Sequence, residues 1–523
     1  MKRPRAFISL LFVCCWATLS VANNSSNNVT PLAYLDRASA VVEPLRMTDQ
    51  KARLVMGFVS LRRQLEPAST NLIATLDPVL SHFRLRNPSR DGLSMRDYSV
   101  DQLVDLYLAL DSLPHAEQAF TLREALNRPY SLRRFALYLI AKKDLTGFDR
   151  YLTQIREAIL ASNSPVDDYR VFIDLAESLH TNNFPAQAKS LFLEATRLVN
   201  LDSLPKLVTS KPPSNDTDFN ADWAVSLRLR ALSEIAVAEH YCAFTSDALQ
   251  LLKELESLPR KLPRKYSSEC RSHVFDLALS LGEFDTAEKM LRQFPRKDRT
   301  FLVRSIAEAE ARFGKLADAV GRLEKLRDKE TVDHTLFEIA IVYANAHQFE
   351  SAESVSARIS SQDLRDALVH QFFFNYLRAN RPGNASACLD QITNQQERIL
   401  LSEQLSQIRP GSPVPLLPRP LNGQRPFCGT TLVAADSFLR QVNKNPEKIV
   451  AEIKLISERP GFKSRSYATL QSVGRALSYA HANDQSIEFW KSKCPDPLSL
   501  AHLYLGLAEG QTLESFTLAR WVD

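Results

Sequence analysis

Glycine is scarce in this chain. Only 14 of the 523 residues are glycine, whereas globular proteins average roughly 7%. Tight turns between β-strands and loops that cradle phosphates need glycine at positions of positive φ. The shortage therefore argues against a protein rich in β-turns and against a glycine-rich nucleotide loop. It favours helices joined by short turns.

A strong excess of one charge is also missing. The chain has 65 Lys and Arg against 60 Asp and Glu, which gives a net charge of +5. Nucleic-acid-binding domains usually carry a larger basic excess on one face. We therefore expect no nucleic-acid partner.

Catalytic and metal-binding motifs are absent from the sequence as well. It contains no P-loop, nucleophile elbow, dinucleotide fingerprint or H-E-x-x-H motif. No two of the ten histidines lie three or four residues apart, so no helix presents a pair of histidines to a metal. We expect no cofactor, no metal ion and no enzymatic activity.

Closely spaced cysteine pairs are likewise missing. After residue 22 the cysteines are odd in number and widely separated: Cys242, Cys270, Cys388, Cys428 and Cys494. This spacing excludes a disulfide framework, although it leaves room for one or two bridges. Buried, apolar cysteines are the favoured interpretation.

Residues 1–22 have the features of a secretory signal peptide. Three basic residues precede an apolar stretch over residues 8–19, and Ser20 and Ala22 supply small side chains before a cleavage point. We expect cleavage after Ala22 and export to the periplasm or the extracellular space, or entry into the secretory pathway of a eukaryote. An uncleaved N-terminal anchor is the alternative. No later segment is long and apolar enough to predict a transmembrane span in the mature chain.

The body of the chain has the hydrophobic periodicity of helices. Leu302, Ile306, Ala309 and Phe313, for example, keep the three-and-four spacing of one helix face. No stretch alternates with a period of two for long enough to form a sheet. The pattern predicts an all-α protein.

Four segments of the sequence repeat. Each has a turn residue of a type that tolerates left-handed backbone, followed five residues later by alanine. The turn residues are Gly282, Gly314, His347 and Asn380, and the alanines are Ala287, Ala319, Ala352 and Ala385. The alanines are 32 or 33 residues apart, which predicts a helix–turn–helix unit in which the small side chain allows the two helices to cross closely.

This pattern resembles the tetratricopeptide-repeat (TPR) family. The resemblance lies in the turn–aromatic–x–x–Ala signature, as in Gly282, Phe284 and Ala287, and in a period close to 34 residues. It covers roughly residues 169–407, and it implies an α-solenoid of stacked helical hairpins.

The chain is accordingly divided into six predicted parts. They are a signal peptide (1–22), a disordered mature N-terminus (23–30), a helical N-terminal region (31–164), a TPR-like array (165–408) with an insertion (201–222), a proline-rich linker (409–428) and a helical C-terminal region (429–523).

The resemblance also implies a binding face. In TPR-like arrays the first helix of each repeat lines a concave groove that binds extended peptides or partner helices. Carried over to this sequence, the groove comprises Arg304, Glu308, Arg312, His334, Phe337, Asn345, His370, Phe374 and Arg378. The basic members suit a carboxylate or an acidic segment, and the two phenylalanines suit an apolar side chain.

The function predicted from the sequence is that of an exported, non-catalytic scaffold that binds a protein or peptide partner in this groove. Two alternatives remain open. An exported helical enzyme acting on polysaccharide or peptide predicts a pocket with two close carboxylates, or a cysteine beside a histidine. A self-associating structural or assembly factor is compatible with the odd cysteine count. The sequence leaves the oligomeric state open.

Overall fold

The computed structural model describes residues 30–69, 71–85, 93–122, 128–162, 165–199, 217–379, 381–392, 463–479 and 484–512, together with eight single positions between 395 and 454. The secondary structure in these residues is helical, without a β-strand. The predicted all-α class is confirmed. The predicted signal peptide (1–22) and proline-rich linker (409–428) lie outside the described residues.

The helices follow one another in short steps. In chain order they are α1 (Pro31–Val42), α2 (Asp49–Leu65), α3 (Leu72–Leu85), α4 (Leu93–Ala109), α5 (Leu113–Phe120), α6 (Arg128–Ala141), α7 (Leu145–Leu160), α8 (Tyr169–Thr181), α9 (Pro185–Val199), α10 (Thr217–Tyr241), α11 (Thr245–Ser257), α12 (Arg264–Leu281), α13 (Phe284–Leu291), α14 (Arg299–Arg312), α15 (Leu316–Leu323), α16 (Lys329–Asn345), α17 (Phe349–Ser356), α18 (Gln362–Arg378), α19 (Pro382–Gln391), α20 (Lys463–Tyr479), α21 (Asp484–Ser492) and α22 (Pro497–Thr512).

Helices α2 to α19 pair into nine consecutive hairpins. We call the first helix of each hairpin, from α2 to α18, an A helix, and the second, from α3 to α19, a B helix. Every A helix contacts the A helix of the next hairpin. The hairpins therefore form one continuous stack, which is the architecture of an α-solenoid.

The turns inside the hairpins share one geometry. A residue with positive φ ends the A helix at Asp111, Lys143, Asn183, Ala243, Gly282, Gly314 and His347. The next residue donates its N–H to the carbonyl five positions earlier, for example Glu283 to Ala278 and Lys315 to Glu310, both at 2.8 Å. This is the Schellman ending of a helix. The predicted left-handed turns at Gly282, Gly314 and His347 are present, whereas Asn380 lies outside the described residues.

A small residue follows most of these turns at the point where the B helix crosses the A helix. The predicted alanines Ala287, Ala319, Ala352 and Ala385 are fully buried, and so are Ala116, Ala188 and Ala248 at the same place in earlier hairpins. The hairpin after Lys143 has Phe148 there instead. Because this hairpin has phenylalanine where the others have alanine, a search for the alanine spacing does not detect it.

The stack is longer than the predicted array. It begins at Asp49 rather than at residue 165, because α2 to α7 already pair and stack like the later hairpins. Helix α10 also begins at Thr217, inside the predicted insertion (201–222). The early hairpins lack the glycine turns that mark the repeat, so the sequence pattern starts later than the fold.

The two ends of the described chain pack together. Helix α22 contacts α20, α1 and the first A helix, α2. Tyr34, Phe58, Trp490 and Tyr504 belong to the apolar cluster between them. We call α1, α20, α21 and α22 the terminal module. It covers the N-terminal end of the stack.

Glycines bring α20 and α22 unusually close. A Cβ atom added to Gly474 would overlap the carbonyl of Leu503, and one added to Gly506 would overlap the carbonyl of Gln471. A side chain at either place is incompatible with this approach of the two backbones. Gly474 and Gly506 thus lie where the backbones of two helices are in contact.

Candidate functional site

The solvent-facing side chains of the A helices form what we call the A face, which includes Asp105, Arg134, Asp174, Glu234, Asp276 and Glu308. In its first part, ion pairs join neighbouring helices. Arg134 of α6 binds Asp105 of α4, and Arg133 binds Asp174 of α8.

The last of these cross-helix pairs joins α8 to α10. Arg170 and Glu234 form a two-pronged pair with distances of 2.6 Å (Nη2 to Oε1) and 2.9 Å (Nε to Oε2). Burial by itself raises the pKa of Glu234, but hydrogen bonds from Arg170, Tyr169 and Arg230 lower it to about 2. The carboxylate is therefore ionised, and it is engaged by its own chain.

Beyond α10 the described side chains show a different pattern on this face. Among the side chains that the structure describes, none joins α10 to α12, α12 to α14 or α14 to α16 across the A face. The opposite side of the stack differs, because pairs between successive B helices, or residues directly after them, continue. They are Arg150–Glu117, Arg156–Glu194, Lys189–Asp247, Lys289–Glu256, Arg322–Glu288 and Arg358–Glu324.

The predicted residues of α14 lie on this second part of the A face. Arg304 and Glu308 pair one helical turn apart, with Nε 2.6 Å from Oε1. Arg312 is exposed, and its Nε donates only to the backbone carbonyl of Glu308, at 3.3 Å. Its guanidinium therefore remains accessible to a carboxylate from outside the chain.

The predicted residues of α16 divide between surface and core. His334 is exposed and Asn345 is half-buried. Phe337 is half-buried and packs against the apolar core of the later hairpins. The backbones of His370, Phe374 and Arg378 lie in α18, which contacts α16, but their side chains lie outside the described part of the chain.

Phe301 is the aromatic residue of this face that the sequence did not reveal. It lies in the first turn of α14, and 61% of it is exposed. It precedes Arg304 and Ser305 on the same stripe of the helix, so the three-and-four spacing indicates its position once the helix bounds are known. The sequence alone suggested Phe337 and Phe374 as the apolar contacts.

Helix α12 contributes a row of polar side chains to the A face. Ser268, Ser272, Asp276 and Ser280 are exposed at four-residue intervals. Although Asp276 is exposed, partial desolvation by the surrounding protein raises its pKa, and desolvation lowers the pKa of His273 beside it. Both shifts disfavour charge, as expected of side chains that neighbouring helices partly enclose.

Two buried carboxylates lie at equivalent places, four residues before a turn. Glu310 is paired with Arg322 of the next helix. Glu239 has no such partner, because Leu251 occupies the position that corresponds to Arg322. Burial, reinforced by the charge of Asp247, raises the pKa of Glu239 to about 7.

The described residues offer little reactive chemistry. They contain no group of three or more His, Cys, Asp or Glu able to hold a metal ion. Cys242, Cys270, Cys388 and Cys494 are free thiols. Burial raises the pKa of Cys242 to about 11, so that this sulfur is protonated at neutral pH.

Helices of membrane-spanning length and hydrophobicity are not found in the described part of the chain.

Comparison with known proteins adds no assignment. No family model and no curated protein matches the chain. Among solved structures it is similar to Ton1535 from Thermococcus onnurineus NA1, with 12% identity over 68% of this chain and 99% of that chain and a TM-score of 0.25. It is also similar to a circular tandem repeat protein with a novel repeat topology, with 12% identity over 93% of this chain and all of that chain and a TM-score of 0.21. TM-scores this low do not establish a shared fold, so the fold is assigned from the helix contacts described above.

Proposed function

We propose that the chain is an exported, non-catalytic scaffold that binds a protein or peptide partner on the A face of helices α12 to α16. The observation that carries this proposal is that, among the described side chains, no ion pair joins α10 to α12, α12 to α14 or α14 to α16 on this face. Upstream, ion pairs between neighbouring A helices engage Arg133, Arg134 and Arg170 with Asp174, Asp105 and Glu234. Downstream, Arg312, His334 and Phe301 remain accessible.

The chemistry of this segment suits a partner with an acidic and an apolar group. Arg312 and Arg304 lie on one stripe of α14, and Phe301 lies at its start. An arginine binds a carboxylate through a planar fork, and an exposed aromatic ring gives an apolar anchor at low entropic cost. A short acidic peptide segment with one large apolar side chain has the complementary groups.

We also propose that the later hairpins are TPR-like repeats and that the protein is exported. The Schellman turns, the buried alanines and the 32- to 33-residue spacing support assignment of the later hairpins as TPR-like units, whose A helices bind partners. The features of residues 1–22 support export.

Position-specific photo-crosslinking tests this function. The mature chain, from residue 23 onward, receives a photoreactive phenylalanine at Phe301 or, as the matched control, at Leu160. Leu160 is 82% exposed at the end of a B helix. Each protein is incubated with the secreted or envelope fraction of its host and irradiated, and adducts are identified by mass spectrometry.

We expect the photoreactive group at position 301 to form an adduct with a different protein. The yield of this adduct should be at least tenfold lower when the group is at position 160. A variant with Arg304, Arg312 and His334 changed to Ala, shown by circular dichroism to be folded, loses the adduct. The same adduct from both positions, or an adduct that survives in the triple variant, contradicts the proposal. An adduct made only of this chain's own peptides favours self-association instead.

A further inference from the structure

Helix α22 carries a histidine in its contact with α20. His502 is only 8% exposed. Its ring stacks on the ring of Tyr467 of α20, with the centroids 5.0 Å apart and the planes within 5° of parallel. Its Nδ1 lies 3.2 Å from Oε1 of Gln471, which is also on α20. The imidazole is therefore part of the interface between these two helices.

The surroundings of Gln471 determine which nitrogen of His502 carries the hydrogen. The amide nitrogen of Gln471 lies 2.9 Å from each carboxylate oxygen of Glu509, and Arg475 binds the same carboxylate. Because the amide nitrogen donates to Glu509, the amide oxygen faces the imidazole. An amide oxygen only accepts hydrogen bonds, so Nδ1 of His502 is the donor.

The other ring nitrogen of His502 has no partner in the described part of the chain. Nε2 is buried and forms no hydrogen bond there. In the neutral ring this atom is an acceptor without a hydrogen, so only one lone pair is unused. Protonation would place an N–H and a positive charge at a buried atom that faces no acceptor. The site therefore accommodates the neutral ring and disfavours the cation.

One carboxylate favours the charged ring, but it does not offset the burial. The negative charge of Asp496 acts to raise the pKa of His502, whereas burial is the larger effect and lowers this pKa to about 4. The carboxylate of Asp496 accepts hydrogen bonds from the backbone N–H of Ser499, at 2.8 Å, and from the hydroxyl of Tyr467, at 3.5 Å. It is thus engaged by groups other than the imidazole.

The remaining helices around α22 direct their titratable groups elsewhere. Tyr34 of α1 and Nζ of Lys491 of α21 lie 6.2 Å and 5.8 Å from the centre of the Tyr504 ring. Tyr504 follows His502 by two residues, which places it about 200° away around the helix. Helix α2 meets α22 with Gly57, next to the side chain of Leu505.

The contact between α20 and α22 cannot adjust to a charged ring. Gly506 lies one turn after His502, and a Cβ added to it would be 2.0 Å from the carbonyl oxygen of Gln471. The two backbones are therefore already in contact beside the imidazole. Hydration of an imidazolium at this place requires the helices to separate, because packed backbones leave no room for water.

We propose that His502 is a pH-sensitive switch, in which protonation of Nε2 separates α22 from α20 and loosens the cover that α22 forms over α1 and α2. In the separated state the ring is in water and has its ordinary pKa of 6.5. The packed state takes up the proton only near pH 4, so the neutral ring supports packing fully above pH 6.5 and this support is lost as the pH falls towards 4. The equilibrium constant for packing should fall about thirtyfold between pH 7.5 and pH 5.

Fluorescence of Trp490 measures this equilibrium. Trp490 lies in α21, is 2% exposed and belongs to the apolar cluster of the terminal module. In the mature chain, Trp223→Phe and Trp521→Phe leave it as the one tryptophan. Urea titrations at pH 7.5 and pH 5, followed by its emission, give the equilibrium constant at each pH. We expect the thirtyfold decrease in this protein.

Two variants assign the effect to its residue. His502→Gln retains an N–H for the amide oxygen of Gln471 and does not titrate, so its equilibrium constant should change less than threefold between the two pH values. His347→Asn is the matched control. It removes an exposed histidine from a left-handed turn and introduces a residue that tolerates this backbone, so it should keep the thirtyfold decrease.

A decrease of less than threefold in the unaltered side-chain background overturns the proposal. So does a thirtyfold decrease that persists in folded His502→Gln, because it would belong to the carboxylates of Asp496 or Glu509. If circular dichroism shows that the glutamine variant is unfolded, nitrogen NMR of the ¹⁵N-histidine-labelled mature chain decides the question. At pH 5.5 we expect one neutral ring with its hydrogen on Nδ1 and stacked on Tyr467. A protonated ring at this position contradicts the proposal.

Discussion

Arg322 binds the buried carboxylate of Glu310 with two nitrogens: Nη2 lies 2.6 Å from Oε1, and Nε lies 3.0 Å from Oε2. Glu310 lies on α14 and Arg322 on α15, so the pair joins the two helices of one hairpin. Arg322 also contacts Glu288 of the hairpin before it. One guanidinium thus connects three helices.

Removing Arg322 is expected to destabilise the protein strongly. In Arg322→Met the carboxylate of Glu310, only 3% exposed, is left in the interior without its cation. Loss of one partner of a buried ion pair costs about 3 kcal/mol. Urea unfolding followed by circular dichroism measures this cost. The control is Arg358→Met, whose partner Glu324 is exposed, and it should cost at most about 0.5 kcal/mol. Similar losses in the two variants would contradict the assigned role of Arg322.

Glu239 is expected to make the protein less stable as the pH rises. Burial raises its pKa to about 7, above the unfolded value of about 4.3. The folded state therefore binds the extra proton between these values, and stability falls as the pH rises through that window. Glu239→Gln should flatten this dependence and add about 2 kcal/mol at pH 8. Thermal unfolding from pH 4.5 to pH 8 is the measurement.

Glu234→Gln is the matched control for that experiment. Because hydrogen bonds hold the pKa of Glu234 at about 2, its charged form stabilises the fold above the unfolded pKa. That contribution is lost as the pH falls through the folded pKa. This variant should therefore lose stability at neutral pH, where Glu239→Gln gains it. Changes of the same sign in both variants would show that the two environments are wrongly assigned.

A methyl group at Gly506 is expected to separate α20 from α22. The added carbon overlaps the carbonyl of Gln471, so the helices must move apart by a distance that the packed cluster around them resists. Gly506→Ala should cost at least about 2 kcal/mol and speed proteolysis after residue 462. Gly321→Ala is the control. Its added carbon meets nothing within 4 Å, and it should stabilise α15 by about 0.5–1 kcal/mol. Unchanged proteolysis of Gly506→Ala would argue against the close approach.

The later hairpins were predictable because the residue types at their turns and helix crossings favour the observed backbone geometry. Gly282 and Gly314 favour left-handed backbone, and Ala287 and Ala319 mark the helix crossing. The earlier turns at Lys143 and Ala243 have the same backbone but residue types that disfavour it. Their conformation is imposed by the packing of the hairpins. A search of residue types therefore begins the array about a hundred residues too late.

The candidate face was predictable only in part. Helical periodicity places Arg304, Glu308 and Arg312 on one stripe. It does not show that Arg304 is already paired with Glu308, or that the charges of the earlier A helices are bound across neighbours. Those relationships depend on the register between hairpins. The packing of α22 against α1 has no local signal at all, because the two segments are separated by most of the chain.

The rings of Tyr34 and Tyr504 lie 6.2 Å apart between centroids, although about 470 residues separate them. Closing so long a loop costs about 2 kcal/mol more in chain entropy than closing one repeat of about 33 residues. Among the described helices, the contact between α1 and α22 therefore joins the two that are farthest apart in the sequence. It forms only after α22 has been synthesised. Until then the first hairpin exposes the apolar surface that α22 will cover. The interval between making the first helix and making the last is therefore the period in which the nascent chain is most exposed to aggregation.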